Sequence, residues 1–163
     1  MTDSVEVTGV GNVLQRIADL ARSTGRTVAT AESLTGGLLA SQLSAAEEAS
    51  VWFRGGIVAY HRDVKHTLLE VPDGPVVSPE SALAMAQSAR RLLGADLACA
   101  VTGVGGPDRQ DARSVGTVYI AVCSAKRQEV GEFHLGDETE EILNRTVEEA
   151  LTLLTHAVAD WPI

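Results

Sequence analysis

A serine stands where a β-branched run, Thr27-Val28-Ala29-Thr30, gives way to a helical pattern, in Ala31-Glu32-Ser33-Leu34-Thr35-Gly36-Gly37. A strand, a small-residue turn and a helix together display a hydroxyl at a sheet edge facing a cleft. The unpaired N–H groups at the helix start can hold an anion or an oxyanion. Ser33 therefore has two readings. As an N-cap it closes the helix that begins near Thr35. As a nucleophile, next to the acidic Glu32, it needs a base within hydrogen-bond reach and an oxyanion site. The backbone N–H groups of Thr35 to Gly37 suit the second requirement. For the base the chain offers Tyr60, at the end of a strand, and Lys65, about one helical turn into the next element. A desolvated lysine loses its proton readily, which is how serine can be activated without histidine. The competing reading makes Lys65 a solvated surface residue and Tyr60 a core ring with a wet hydroxyl. A third candidate, Thr102-Gly103, ends a strand beside the loop Val104-Gly105-Gly106-Pro107. Strand ends at one edge of an α/β sheet are the usual ligand site; the alternative is a tight turn without a ligand.

Other chemistries fit less well. The glycines from Gly103 to Gly106 lack the offsets of a dinucleotide fingerprint, and no Gly-Lys-Ser/Thr of a phosphate loop occurs. Cys99 and Cys123 lie in apolar runs and have no metal-ligand spacing with His61, His66, His134 or His156, so no metal site is expected. They read as small buried residues in a reducing compartment rather than as a disulfide. With 13 basic and 22 acidic residues the net charge is −9, and no clustered basic face is visible, so nucleic acid is not an expected partner. No secretion signal and no membrane-spanning apolar run is evident, which predicts a soluble, cytoplasmic protein.

The elements that must position these residues are readable in outline. Residues 1–12 are expected to form a loose arm, and 13–160 a single domain. The pentapeptide Val-Thr-Gly-Val-Gly occurs at Val7–Gly11 and Val101–Gly105, but only the second copy follows a convincing strand. Leu14, Ile17, Ala18 and Ala21 share a helical face that ends at Gly25. After the strand at Thr27–Thr30, a helix is predicted from about Thr35 to Ser44, although Gly36-Gly37 is poor helix material. Gly56–Tyr60 reads as a strand and Asp63–Leu69 as a short helical stretch. Ser78-Pro79-Glu80 opens a helix that stops at Gly94. Strands follow at Leu97–Thr102, Thr117–Cys123 and about Glu129–Leu135. Asp137 with Glu140 resembles a capping box for a long last helix. This order predicts an α/β fold, a single three-layer α/β/α domain with a mixed sheet.

Taken together, these segments resemble the CinA C-terminal domain family, whose characterised members are nicotinamide-nucleotide amidases. The resemblance runs from about Leu14 to Ala159. It rests on Ala31–Gly37, on Phe53-Arg54-Gly55-Gly56-Ile57-Val58-Ala59-Tyr60 with Lys65, and on Val77-Ser78-Pro79-Glu80. It continues through Gly94-Ala95-Asp96, Thr102–Pro107 and Val115-Gly116-Thr117-Val118. The resemblance implies hydrolysis of nicotinamide mononucleotide to nicotinate mononucleotide and ammonia, with no metal and no organic cofactor. Ser33 would be the nucleophile, and Tyr60 and Lys65 the pair that moves its proton. Thr35, Gly36, Thr102 and Gly103 would line the substrate and oxyanion pocket, with Glu32 and Gly37 beside them. A homo-oligomer built from dimers is expected. At three places the chain departs from the family pattern. His61-Arg62 follows the tyrosine where a small polar residue and asparagine are common. The loop Asp108–Ser114 is short and lacks a glycine pair. Leu143 stands where many relatives have arginine, with Arg145 at another register. The second and third departures favour two alternatives: a non-catalytic nucleotide- or partner-binding domain, or an amidase for a different small amide.

Overall fold

The computed structural model describes residues 9–163. The predicted arm therefore lies largely outside the described residues, as do the first two residues of the first pentapeptide copy. Helix α1 spans Val10–Thr24 and already includes the last residues assigned to the arm. It is followed by β1 (Val28–Glu32), α2 (Leu38–Ser44), α3 (Ala49–Trp52) and β2 (Phe53–Val58). Next come α4 (Arg62–Thr67), α5 (Pro79–Leu93), β3 (Leu97–Gly103), β4 (Thr117–Cys123), β5 (Gln128–His134) and α6 (Thr139–Asp160).

The five strands form one mixed sheet in the order β2-β1-β3-β4-β5. β1 runs parallel to both β2 and β3, whereas β3–β4 and β4–β5 are antiparallel. The expected three-layer α/β/α architecture follows from how the strands alternate. Val28, Leu97, Val101, Ile120 and Val122 point to one face, where they pack with α1, α2 and α6. Ala29, Ala31, Ala98, Ala100 and Ala121 point to the other, against Ala82, Met85, Ala86 and Ala89 of α5. Branched side chains thus fill the face under α1, α2 and α6, and small alanines the face under α5. Both cysteines are free and buried within these layers. Burial pushes both thiols up, Cys123 to about 11, so neither is a nucleophile near neutrality. Among the described residues no helix is long and apolar enough to cross a membrane.

Three expectations need correction. Helix α2 starts at Leu38, not near Thr35, because Gly36 and Gly37 adopt φ of 57° and 105°, outside the right-handed helix. β2 begins at Phe53 rather than Gly56, so Tyr60 sits just beyond its end. The Asp137–Glu140 capping box does not form: the N-cap of α6 is Glu138, and no side chain caps it. Ser78 does cap α5, accepting from the Ser81 N–H at 3.1 Å with Pro79 in the first turn.

Candidate active site

The C-terminal ends of the parallel strands β1, β2 and β3 deliver Ser33, Tyr60 and Thr102 to the same edge of the sheet. There a cleft of about 190 Å³ is lined by Ser33, Leu34, Tyr60, Lys65, Thr102 and Gly103. Its other walls come from Val76-Val77, from Val104–Gly106 with Asp108 and Gln110, and from Thr139 and Leu143 of α6.

Ser33 does not cap a helix. The residue before α2 is Gly37, and no side chain closes its N-terminus through that position. The first turn is capped instead by Glu32. Its fully buried carboxylate accepts from the Leu39 N–H at 2.8 Å, the Ala40 N–H at 3.0 Å and the Thr35 hydroxyl at 2.7 Å. Glu32 and Thr35 thus brace the turn from behind, and neither lines the cleft. Gly36 and Gly37 do not line it either, but their positive φ makes the turn that swings Ser33 outward. The Gly36 N–H donates to the Ser33 carbonyl at 3.0 Å, and the Ser33 N–H to the Val101 carbonyl at 3.1 Å. The serine backbone is therefore held on both sides. Its side chain has no hydrogen-bond partner among the described residues, and the residue is 7% exposed at the cleft wall. Glu32→Ala would orphan two buried N–H groups and a hydroxyl. The expected cost is at least about 3 kcal/mol of stability, read as a lower urea midpoint.

Lys65 is 2% exposed and its ammonium donates to the Tyr60 carbonyl at 2.9 Å. Burial pushes the amine down from 10.5 to about 8, with Arg62 acting in the same direction and Asp111 against it. A lysine of that acidity has a sizeable neutral fraction near physiological pH and is suited to take a proton. Tyr60 differs: the residue is 71% exposed at the cleft, while its carbonyl orients Lys65. Of the two candidates for a buried base, Lys65 has the environment.

The Thr102 hydroxyl donates to the Val76 carbonyl at 2.7 Å, fastening the 71–78 loop over the end of β3. Gly103 admits close contact between strands, since a Cβ there would lie 2.7 Å from the Thr117 carbonyl oxygen and 2.8 Å from Val118 Cγ2. Gly103→Ala must therefore shift β3 against β4. It is expected to destabilise by about 2 kcal/mol, read as a lower thermal midpoint.

The match to known proteins falls on the same span. Residues 11–158 match the model of the CinA C-terminal domain. The chain belongs to that family. A CinA-like protein of Geotalea uraniireducens is 46% identical over 122 residues, covering 68% of this chain and 29% of that protein. A CinA-like protein of Frankia casuarinae is 38% identical over 165 residues, covering 98% of this chain and 36% of its own length. The chain thus spans about a third of the length of the curated relatives it matches. Among solved structures, the competence/damage inducible protein CihA from Agrobacterium tumefaciens superposes with a TM-score of 0.88 at 33% identity, covering 96% of this chain and 99% of that one. The competence damage-inducible protein A from Klebsiella pneumoniae gives a TM-score of 0.90 at 27% identity, covering 95% and 100%. In this CinA domain, two groups that support the cleft from outside its lining carry no local mark in the sequence. One is Glu32, which braces the turn; the other is Asp111, which reaches the 71–78 loop and α4 from a loop singled out only for its shortness.

Proposed function

We propose that this CinA domain hydrolyses a primary carboxamide through an acyl-enzyme on Ser33, with nicotinamide mononucleotide as the substrate. The observation that carries the reading is the meeting of Ser33, with its unpartnered hydroxyl, and the buried Lys65 in one cleft. Ser33 Oγ attacks the carboxamide carbon, and Lys65 Nζ takes the hydroxyl proton as the C–O bond forms. The same proton passes to the leaving nitrogen as the C–N bond breaks, releasing ammonia. Water then attacks the ester carbon, giving the carboxylic acid and regenerating the serine. The oxyanion would meet the backbone N–H of Leu34, which lines the cleft and is not engaged in a hydrogen bond among the described residues. The test is to incubate the purified protein with nicotinamide mononucleotide and follow ammonia and nicotinate mononucleotide. Equal release of both supports the reading; neither product would sink it.

A second reading, hydrolysis of a smaller amide without a phosphate, is favoured by the cleft lining. Among the described residues Lys65 is the one cation lining the cleft, whose walls also include Asp108, and Leu143 adds an apolar group where a phosphate would want arginine. Arg145 is turned away, pairing with Glu141 at 3.5 Å on the exposed face of α6. A volume of about 190 Å³ is also small beside the roughly 300–1,000 Å³ of common ligand pockets. Nicotinamide and nicotinamide riboside, assayed beside the nucleotide, separate the two readings. Ammonia from either, with none from the nucleotide, would select the second. Thermal stabilisation by the nucleotide without turnover would instead mark a binding module.

A further inference from the structure

The loop 108–114 carries an unusual backbone. Asp111 and Ala112 both adopt left-handed φ, 51° and 59°. For residues with a Cβ this conformation is disfavoured, so something must hold it. Asp111 Oδ2 accepts from the Val76 N–H at 2.9 Å and the Val77 N–H at 3.0 Å. Its Oδ1 accepts from Arg62 Nη2 at 2.7 Å, and Arg62 Nη1 donates to the Gly74 carbonyl at 3.0 Å. Exposed ion pairs contribute little, but the Asp111 side chain is only 11% exposed and satisfies two backbone donors as well.

We infer that the Arg62–Asp111 pair is a strap tying the two loops that wall the cleft to the helix that carries Lys65, and that both are positioning residues for Lys65. Arg62 lies one turn from Lys65 on α4, and Val76 and Val77 are themselves cleft walls. Val76 is in turn fastened to Thr102. One carboxylate thus fixes the 71–78 loop, the 108–114 loop and α4 relative to one another. Its charge and that of Arg62 act on the Lys65 amine with opposite sign. The other charged or titratable groups on the surrounding segments are Tyr60, His66 (held on the Val71 carbonyl), the exposed Asp73, Asp108 and Arg109, Arg113 over the Tyr119 ring, and the buried Glu32. His61 and Asp63 are largely exposed.

The inference rests on the proposed role of Lys65 as base, but it is tested without turnover. Lys65 and Lys126 are the chain's two lysines. In the full chain labelled at the lysine ε-carbon, NMR therefore follows two signals, assigned with Lys126→Arg. Arg62→Gln removes the neighbouring cation and is expected to raise the Lys65 midpoint by about 0.5 pH. Asp111→Asn leaves Arg62 unbalanced and is expected to lower it by a similar amount. The double variant cancels the two charges and leaves only the lost strap, so its midpoint should rise above the parent's by about 0.5 pH as the loosened amine gains solvent. Arg62 is partly exposed, so Arg62→Gln serves as the deciding variant if neither Asp111 variant folds. An unmoved midpoint in Arg62→Gln, or a double variant at the parental midpoint, overturns the strap. A raised midpoint in a protein that releases no ammonia would keep the strap and remove the proposed reaction. Ammonia release with unmoved midpoints would do the reverse.

Discussion

Replacing Ser33 by alanine is expected to lower ammonia release by about 10³-fold or more while leaving the thermal midpoint close to that of the parent. The size of the loss follows from the chemistry. Without the hydroxyl no acyl-enzyme forms, and only binding and oxyanion stabilisation remain to assist direct attack by water. The small effect on stability follows from the structure. The turn is held by the Glu32 carboxylate, by the Gly36 and Ser33 backbone bonds and by the two glycines, none of which involves the serine side chain. Parallel measurement of thermal unfolding and ammonia release checks both halves. A variant that kept near-parental turnover would move the nucleophile elsewhere. One that lost activity together with ten degrees of stability would return Ser33 to a structural role.

The contrast with Glu32→Ala sharpens this. Glu32 and Ser33 are adjacent, yet one is fully buried with three donors and the other sits at the cleft wall with an unpartnered hydroxyl. Substitution at the first should show in stability, at the second in turnover. Alternation along a strand explains the difference: successive side chains at the end of β1 leave in opposite directions, one into the α2 layer and one over the sheet edge.

The same alternation explains what could be read from the sequence. Buried strands announce themselves as apolar runs, and Leu97–Gly103 and Thr117–Cys123 are completely buried, so the central strands and the mixed character of the sheet were accessible, but not the strand order. Ser33 and Thr102 lie at the ends of such strands, Tyr60 lies just beyond β2 and Lys65 on the short helix that follows it, and the strand ends bring them together. Contacts across longer separations left no pattern. Glu32 caps N–H groups 7 and 8 residues onward, beyond any local capping rule, so it read as a pocket residue. Arg62 and Asp111 are 49 positions apart, and nothing periodic links them. Each was visible only as a departure from the family pattern, the one after Tyr60 and the other in the shortened loop. In the folded chain the two departures meet in a single ion pair.

Lys65→Met is expected to lose nearly all amide hydrolysis and, near neutral pH, to be no less stable than the parent. For catalysis the neutral amine is the working form. With the amine held at about 8, only about a tenth is neutral at pH 7, so kcat/KM should rise with pH and level off above 8. Lys65→Arg, which stays protonated throughout, should be as inactive as Lys65→Met. For stability the sign runs the other way from an ordinary ion pair. The unfolded chain holds this proton up to about 10.5 and the folded chain only to about 8. Between those values the unfolded state binds more protons, so the parent gains stability as pH rises through the window. Below pH 8 the buried ammonium carries its full desolvation penalty, which methionine removes. The stability advantage of Lys65→Met should therefore be greatest below pH 8 and shrink toward pH 10.5, as measured by urea midpoints across that range. A variant that is inactive yet equally or more stable places Lys65 in the chemistry, because a residue kept only for packing would have shown its loss in the fold.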